Sequence, residues 1–250
     1  MICLWIIVSG VISYGSPGGH GPFQRGEEPL PVSLADCQPV RSEYKTEDKT
    51  NYPGILYFSA PGDTRGAILK MERMIKTNDS YWCILVLDRK GRPISTLTTN
   101  DMASYVYRVY SADLNQDGQA DFLVNIWTGG GGLAGEGSTT TFLLSSGTRY
   151  VALDWYGYDF EPEDIVRFKK GGPCYFINND LISNGVEKTK DGRDHNFWVY
   201  QLYRFSGSEM VEANRDDPRF PKWVWYTFKE NHRETDQLTT EQKKRILGKR

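Results

Sequence analysis

Short runs of aromatic, β-branched and aliphatic residues recur along the chain, and turn-forming residues separate them. The clearest are residues 81–87 (YWCILVL) and 197–205 (FWVYQLYRF), which end at Asp88-Arg89-Lys90-Gly91 and at Ser206-Gly207. Runs of this length, bounded by Asp, Ser and Gly, predict β-strands. A chain composed mostly of such runs has to bury them in sheets, so the fold is expected to be mainly β.

The same pattern predicts further strands at 55–58, 93–97, 105–110, 122–127, 140–144, 150–155 and 175–177. Aromatic residues make up 13% of the chain, and they favour the pleated, half-buried surface of a sheet. Two helices are also predicted. One is a short internal helix over 66–75, with Ile68, Leu69, Met71 and Ile75 on one side; the other runs from Thr239 to Leu247, and its Thr239 and Gln242 have capping-box spacing. We therefore expect antiparallel sheets, of a kind that can form propeller blades, with these two helices.

The N-terminal residues predict export from the cytoplasm. Residues 2–12 (ICLWIIVSGVI) are apolar but shorter than the roughly 20 residues of a spanning helix, so they fit a signal peptide over 1–15 with cleavage near Gly15 or Ser16. Residues 16–32 are rich in Gly and Pro and predict a disordered leader, followed by a single β-rich domain over 33–250. We expect a secreted or periplasmic protein with no membrane span after cleavage. No Lys or Arg precedes the apolar run, so a cytosolic protein with an uncleaved N-terminus stays open as an alternative.

Charge and cysteine content exclude some classes of protein. The formal net charge of −2 argues against a broadly basic nucleic-acid-binding protein. After signal cleavage three cysteines remain, Cys37, Cys83 and Cys174, which leaves either one disulfide with one thiol or three thiols. Their spacing does not suggest a zinc site.

Residues 113–124 (DLNQDGQADFLV) carry the clearest chemical signal. Calcium prefers six to eight oxygen ligands, and a loop supplies them from side chains at its first, third, fifth and ninth positions. Those positions hold four oxygen-bearing side chains, Asp113, Asn115, Asp117 and Asp121. Gln119 is expected to add its backbone carbonyl, and Gly118 stands where the chain turns sharply. The spacing predicts a calcium site.

The flanks of this loop separate it from an EF-hand. An EF-hand requires a helix on each side and a Glu at the twelfth position, whereas this chain has Val124 there and strand-like flanks. Residues 109–124 (VYSADLNQDGQADFLV) instead resemble the FG-GAP or VCBS type of repeat. The resemblance implies a calcium loop between adjacent strands, usually with a structural role. The alternative is an Asx-rich turn without a metal.

A second, degenerate copy of the repeat is an open question. Residues 167–177 (RFKKGGPCYFI) can be laid over 113–123 with an offset of 54, which places Phe176 on Phe122. The ligand positions would then hold Arg167, Lys169, Gly171 and Tyr175, so this copy would have lost its metal site. Two unrelated hairpins are the alternative.

Other patterns suggest enzymatic or binding roles less strongly. The glycines at 129–132 lack the ending of a phosphate loop. His195 with Asp194 is a candidate acid/base pair, and the loop acids Glu161, Glu163 and Asp164 are candidates for glycoside hydrolysis. Aromatic side chains that can stack on sugars are Trp223, Trp225 and Tyr226. A solvated loop and a packed core, respectively, account for the acids and the aromatics equally well.

The sequence therefore predicts a calcium-binding module with a structural Ca2+ ion. We expect it to be non-enzymatic and to bind an unknown protein or glycan ligand. The alternative is an extracytoplasmic hydrolase that acts on polysaccharide, with calcium as a structural ion.

Overall fold

The structure is a computed structural model. It describes residues 23, 29–43, 54–63, 65–76, 79–98, 107–127, 137–158, 160–183, 187–226, 233–234 and 238–248.

Most of the described chain is β-strand. In chain order the strands before the centre of the sequence are β1 Leu30–Pro31, β2 Ala35–Asp36, β3 Pro39–Glu43, β4 Ile55–Ser59, β5 Ile68–Lys76, β6 Asp79–Leu87, β7 Pro93–Thr98, β8 Tyr107–Ala112 and β9 Asp121–Trp127. The later elements are β10 Gly137–Ser146, β11 Arg149–Tyr158, β12 Ile165–Arg167, β13 Tyr175–Ser183, β14 Asn196–Ser206, β15 Glu209–Glu212, β16 Lys222–Tyr226, β17 Arg233–Glu234 and the helix α1 Thr240–Leu247.

These strands form three antiparallel sheets. The first sheet has the order β3-β4-β5-β6-β7 and the middle sheet the order β11-β10-β9-β8-β2. The third sheet has the order β1-β12-β13-β14-β16-β17, and β15 pairs with β14. The predicted fold class, mainly β with antiparallel sheets and a C-terminal helix, is confirmed. The helices of the described residues are too short or too polar to cross a membrane.

The C-terminal helix begins where its capping box predicts. Gln242 donates its backbone N–H to Thr239 Oγ1 at 3.2 Å, and Thr239 donates its own to Gln242 Oε1 at 2.8 Å. The reciprocal bonds satisfy two backbone donors that a helix start otherwise leaves without partners. Ile246 and Leu247 pack with Trp223 and Leu238, which attaches the helix to the third sheet.

The prediction of a short internal helix over 66–75 is wrong, because residues 68–75 lie in strand β5. Leu69, Met71 and Arg73 are buried, while the residues between them are only partly covered. A period of two describes this pattern, and pairing with β4 and β6 on either side imposes it. The buried arginine at position 73 obscured the alternation in the sequence.

The middle sheet is buried on both faces. Phe122, Val124 and Ile126 of β9 pack against the first sheet, whereas Leu123 packs against the third. Neighbouring residues of a strand point to opposite faces, so a strand buried on both sides reads as a continuous apolar run. The apolar runs at 122–124 and 142–144 have this cause.

The N-terminal segment runs across all three sheets. β1 pairs with β12 in the third sheet, β2 with β8 in the middle sheet and β3 with β4 in the first. Val32 is buried and donates its N–H to the carbonyl of Ile165 at 2.9 Å. The predicted leader, 16–32, lies largely outside the described residues. Of those described, Phe23 packs against a core cluster of the third sheet, and residues 30–32 bond to it through β1 and Val32.

The same hairpin register occurs once in each sheet. Ala112 pairs with Asp121 around the loop 113–120, and Val166 pairs with Tyr175 around 167–174, which is the same pairing shifted by 54 residues. Ser59 pairs with Ile68 around 60–67, a shift of 53 from the middle sheet. The three enclosed loops have equal length, so the overlay of 167–177 on 113–123 has a structural counterpart.

Two other sequence predictions concern residues that the structure does not describe. The signal peptide over 1–15 and the glycines at 129–132 lie outside the described residues. Among the described cysteines, Cys37, Cys83 and Cys174, no disulfide forms, and Cys37 and Cys174 are buried.

Packing between the middle and third sheets yields a stability prediction. Phe142 is fully buried, and its ring centroid lies 5.1 Å from that of Phe176 and 5.3 Å from that of Phe205. Phe142→Ala removes both contacts and leaves a cavity, so it should lower the free energy of unfolding by about 3–5 kcal/mol. Chemical denaturation measures this loss. Tyr156→Ala on the neighbouring strand is the control, since Tyr156 is 61% exposed, and it should change the value by less than about 0.5 kcal/mol. Equal effects of the two substitutions would contradict the packing.

Candidate cation-binding loop

The predicted calcium loop is a tight connection between β8 and β9. Ala112 and Asp121 close it as a strand pair. Within it the backbone turns at Gln116, with φ of 63°, and at Gly118, with φ of 81°. Positive φ is costly for a residue with a Cβ, which explains why the sharp turn at position 118 uses glycine.

The acidic and amide side chains fold inward onto the backbone of the loop. Asp113 Oδ2 accepts from the N–H of Gly118 at 3.0 Å, and Asn115 Oδ1 accepts from the N–H of Asp117 at 3.1 Å. Asp117 Oδ1 accepts from the N–H of Gln119 at 2.9 Å. Because each oxygen is held by a backbone donor, all three side chains have fixed orientations around the loop.

Asp121 is fully buried at the end of the loop. Its Oδ2 accepts from the N–H groups of Leu114 at 2.7 Å and Asn115 at 3.3 Å, and its Oδ1 accepts from the N–H of Ser145 at 2.6 Å. Burial raises the pKa of this carboxyl from 3.8 to about 6, although the hydrogen bonds oppose the shift. For this pKa, the increase caused by removal from water is therefore larger than the decrease caused by the three backbone donors.

Ser145, at the end of β10, connects the loop to the β10–β11 turn. Besides its N–H bond to Asp121, it donates its hydroxyl to Asp117 Oδ2 at 2.8 Å. Its carbonyl accepts from the side-chain amide of Asn115 at 2.8 Å. Sequence reasoning missed Ser145, because it follows the loop by more than 20 residues inside an apolar strand and no local pattern marks it.

Asp113 Oδ1 and Gln119 Oε1 are buried and make no hydrogen bond within the described residues. A buried carboxylate oxygen without a partner is costly, because it has lost its water and gained nothing in return. A cation beside Asp113 would remove that cost. Carboxylate and amide oxygens are the hard donors that calcium prefers, and an oxygen that accepts one N–H keeps a second lone pair.

The donor chemistry thus fits a hard divalent cation, with Asp113, Asn115, Asp117 and Asp121 as the side chains that would hold it. In the part of the chain that the structure describes, no three His, Cys, Asp or Glu side chains converge as a metal-binding group. The loop sequence also offers amide side chains and backbone carbonyls, and a cation there would need donors of these kinds besides the carboxylates.

The candidate acid/base residues do not come together. His195 pairs with Asp191 at 2.9 Å, not with Asp194, whose carboxylate accepts from Lys188. The acids of the 161–164 loop precede β12 at the opposite end of the third sheet. Ile165 pairs with Phe176, and Asn196 pairs with Ser183, seven residues further along β13 or about 23 Å away. His195 and the acids of the 161–164 loop therefore do not share one site.

Of the three aromatic residues predicted to stack on sugars, Trp223 and Trp225 pack within the protein, and the side chain of Tyr226 lies outside the described part of the chain. Trp223 is buried beneath α1, and Lys243 lies over its ring at 5.8 Å. Trp225 contacts His195, with ring centroids 4.8 Å apart. Trp223 is therefore not available to stack on a sugar.

Comparison with models of known protein families, with curated proteins and with solved structures finds no match.

The buried Asp121 carboxyl predicts a pH-dependent stability for the calcium-free protein. A carboxyl with a raised pKa contributes stability that is fully present below about pH 4 and is lost as the pH rises through about 6. Between these two pH values, each pH unit changes the free energy of unfolding by about 1.4 kcal/mol. In excess chelator, this group should therefore lower the free energy of unfolding by about 2 kcal/mol between pH 4 and pH 7.

Asp121→Asn isolates this effect. Asp88, Asp191 and Asp217 have lowered pKa values and change stability in the opposite sense, so the quantity to measure is the difference between the native and variant proteins. Denaturant titrations in chelator at pH 4 and pH 7 provide it. An identical pH dependence for both proteins would contradict the role of Asp121.

Proposed function

We propose that this protein is a calcium-stabilised binding module without enzymatic activity. Asp113, Asn115, Asp117 and Asp121 would bind one Ca2+ ion through side-chain oxygens, and Gln119 through its backbone carbonyl. The observation that carries the proposal is the buried Asp113 Oδ1, which makes no hydrogen bond within the described residues.

The alternative, an Asx-rich turn without a metal, explains part of the loop. It accounts for the bonds from backbone N–H groups to Asp113, Asn115 and Asp117, because such bonds form turns without any ion. It does not account for a buried anionic oxygen that no donor of the described residues contacts. A loop selected only to turn has no need for a carboxylate in that position.

Calcium would act here as a structural ion. The loop places three carboxylates and an amide within nine residues, and one of the carboxylates is fully buried. A divalent cation would offset their mutual repulsion and stabilise the β8–β9 hairpin. Through Ser145 it would also stabilise the β10–β11 turn.

An extracytoplasmic location, secreted or periplasmic, agrees with this role. Calcium sites of millimolar affinity are filled outside the cytoplasm. The apolar residues 2–12 are the second support for export. A protein or glycan is the expected ligand of the module.

Asp113→Asn tests the calcium site, since it removes the charge and keeps the shape. For the native protein, calcium at a hundredfold excess over its Kd should raise the free energy of unfolding by about 2.7 kcal/mol. The variant should lose most of that gain. In excess chelator the variant should be as stable as the native protein or more stable, because it replaces a carboxylate, whose buried Oδ1 makes no hydrogen bond within the described residues, by a neutral amide.

Thermal melts with calcium and with chelator measure both effects. Asp194→Asn is the matched control, because Asp194 is an exposed carboxylate that pairs with Lys188 away from the loop. It should leave the calcium shift unchanged. A native protein with the same melting temperature in calcium and in chelator would favour the metal-free turn.

Export has a separate test. When the full chain is expressed with a functional secretion system, the exported protein should begin near Gly15 or Ser16. The intact mass of the mature protein measures this. A mature protein that keeps residues 1–15 would support the cytosolic alternative.

A further inference from the structure

A cavity of about 290 Å³ lies between the first and middle sheets, at the same end of the molecule as the cation-binding loop. The loop 60–67, the β6–β7 turn and the β10–β11 turn surround it. The residues that form it include Arg65, Ala67, Asp88, Ile94, Thr148 and Tyr150. Ligand pockets start near this size, so the cavity suits a group no larger than one amino-acid residue.

Arg65 brings a positive charge to this cavity. Its Nη1 donates to the carbonyl of Gly147 at 2.5 Å, which fixes the guanidinium across the gap between the two sheets. A guanidinium has five N–H donors, so most of them stay available. The nearby Asp63 accepts the backbone N–H groups of Arg65 and Ala67, at 3.0 and 2.7 Å, and so supports the loop instead of pairing with the guanidinium.

Asp88, the acidic residue of the cavity wall, is occupied by its own turn. Its oxygens accept from the backbone N–H groups of Lys90 at 2.8 Å and Arg92 at 2.9 Å. The guanidinium of Arg92 also binds it, at 2.7 Å. Asp88 is therefore already compensated, and the charge of Arg65 is available to an anionic ligand.

The rest of the wall is mostly apolar. Ala67 and Tyr150 are buried, and Ile94 is partly buried beside them. Tyr150 already donates its hydroxyl to the carbonyl of Ala120 at 3.0 Å, so it offers the cavity its ring. Thr148 is exposed at the rim and adds one hydroxyl.

We propose that this cavity binds the C-terminal carboxylate of a peptide whose last residue is aliphatic. Arg65 binds the carboxylate, and the Thr148 hydroxyl donates to it. Ala67, Ile94 and the Tyr150 ring contact the side chain of the last residue. The assignment deepens the proposed function. It rests on that proposal in one respect: the protein is taken to be a binding module.

The wall chemistry favours a peptide terminus over a sugar. A sugar ring needs several donors and acceptors for its hydroxyls and usually stacks on an open aromatic face. In this cavity the carboxylate of Asp88 is already occupied, and Tyr150 is only 7% exposed. One cation, one hydroxyl and an apolar wall match a carboxylate attached to an aliphatic group.

Small ligands test the assignment on the full chain. N-acetyl-leucine should bind at least tenfold more tightly than N-acetyl-leucinamide, which lacks the carboxylate, and more tightly than glucuronate, which lacks the aliphatic group. Chemical-shift titration or calorimetry measures the three affinities. Equal binding of acid and amide, tighter binding of glucuronate, or no binding of N-acetyl-leucine would each overturn the proposal.

Two substitutions at exposed positions locate the binding. Arg65→Gln should weaken N-acetyl-leucine at least tenfold, and Thr148→Glu should do the same by repelling the carboxylate. Arg215→Gln, at an exposed arginine in the turn that follows β15, should have no effect. Melting curves verify that each variant is folded. Retained affinity in both Arg65→Gln and Thr148→Glu would overturn the location.

The two proposals can fail separately. Calcium melts of the native protein report on the loop, and the ligand titrations report on the cavity. If calcium gives no shift but N-acetyl-leucine binds through Arg65, the metal site fails and the peptide site stands. If calcium stabilises the protein but N-acetyl-leucine does not bind, the peptide site fails and the metal site stands.

Discussion

The buried carboxylate of Asp121 organises the end of the molecule where both candidate sites lie. It binds the backbone of its own loop through Leu114 and Asn115, and it binds the β10–β11 turn through Ser145. Asp121 is also the first residue of β9, whose following residues fill the cores on both faces of the middle sheet. A single side chain thus fixes the position of the loop relative to β9, which is buried on both faces. The raised pKa shows that burial costs this carboxylate free energy, and the surrounding donors offset only part of it.

Of the three hairpins, the middle one alone has acidic side chains at both ends of its loop. They share register and loop length, so the backbone gives each of them the same opportunity. At the positions of Asp113 and Asp121, the loop of the first sheet has Ala60 and Ile68, and that of the third has Arg167 and Tyr175. Neither replacement offers an anionic oxygen. The third loop instead supports the middle one, because the carbonyl of Gly172 accepts from the side-chain amide of Gln116 at 2.9 Å.

The sequence predicted those features of the fold that depend on local patterns. Short apolar runs between turn residues identified the strands, and the capping box of Thr239 and Gln242 identified α1, because both signals are complete within a few residues. The prediction for the segment 66–75 was wrong, since its apolar residues fit a helix and a strand alike. Only pairing with β4 and β6 decides between the two. For the candidate site, the spacing from Asp113 to Asp121 located the loop and its inward-facing oxygens. The contacts of Ser145, Gly147 and Arg65 were not predictable, because sequence-distant residues meet only after the sheets have packed.

The candidate cation-binding loop and the cavity beside Arg65 are joined by a short piece of backbone. Ser145 holds the loop through Asp121, Asp117 and Asn115, and two residues later the carbonyl of Gly147 accepts from Arg65. A cation that drew in the Asp117 and Asp121 carboxylates would therefore act on the turn that positions one wall of the cavity. Coupling between two sites is reciprocal. If the cation strengthens ligand binding at Arg65 by some factor, the ligand strengthens cation binding by the same factor. The β10–β11 turn is bonded to Asp121 on one side and to Arg65 on the other. A structural ion in the loop would therefore affect ligand binding in the cavity through this turn.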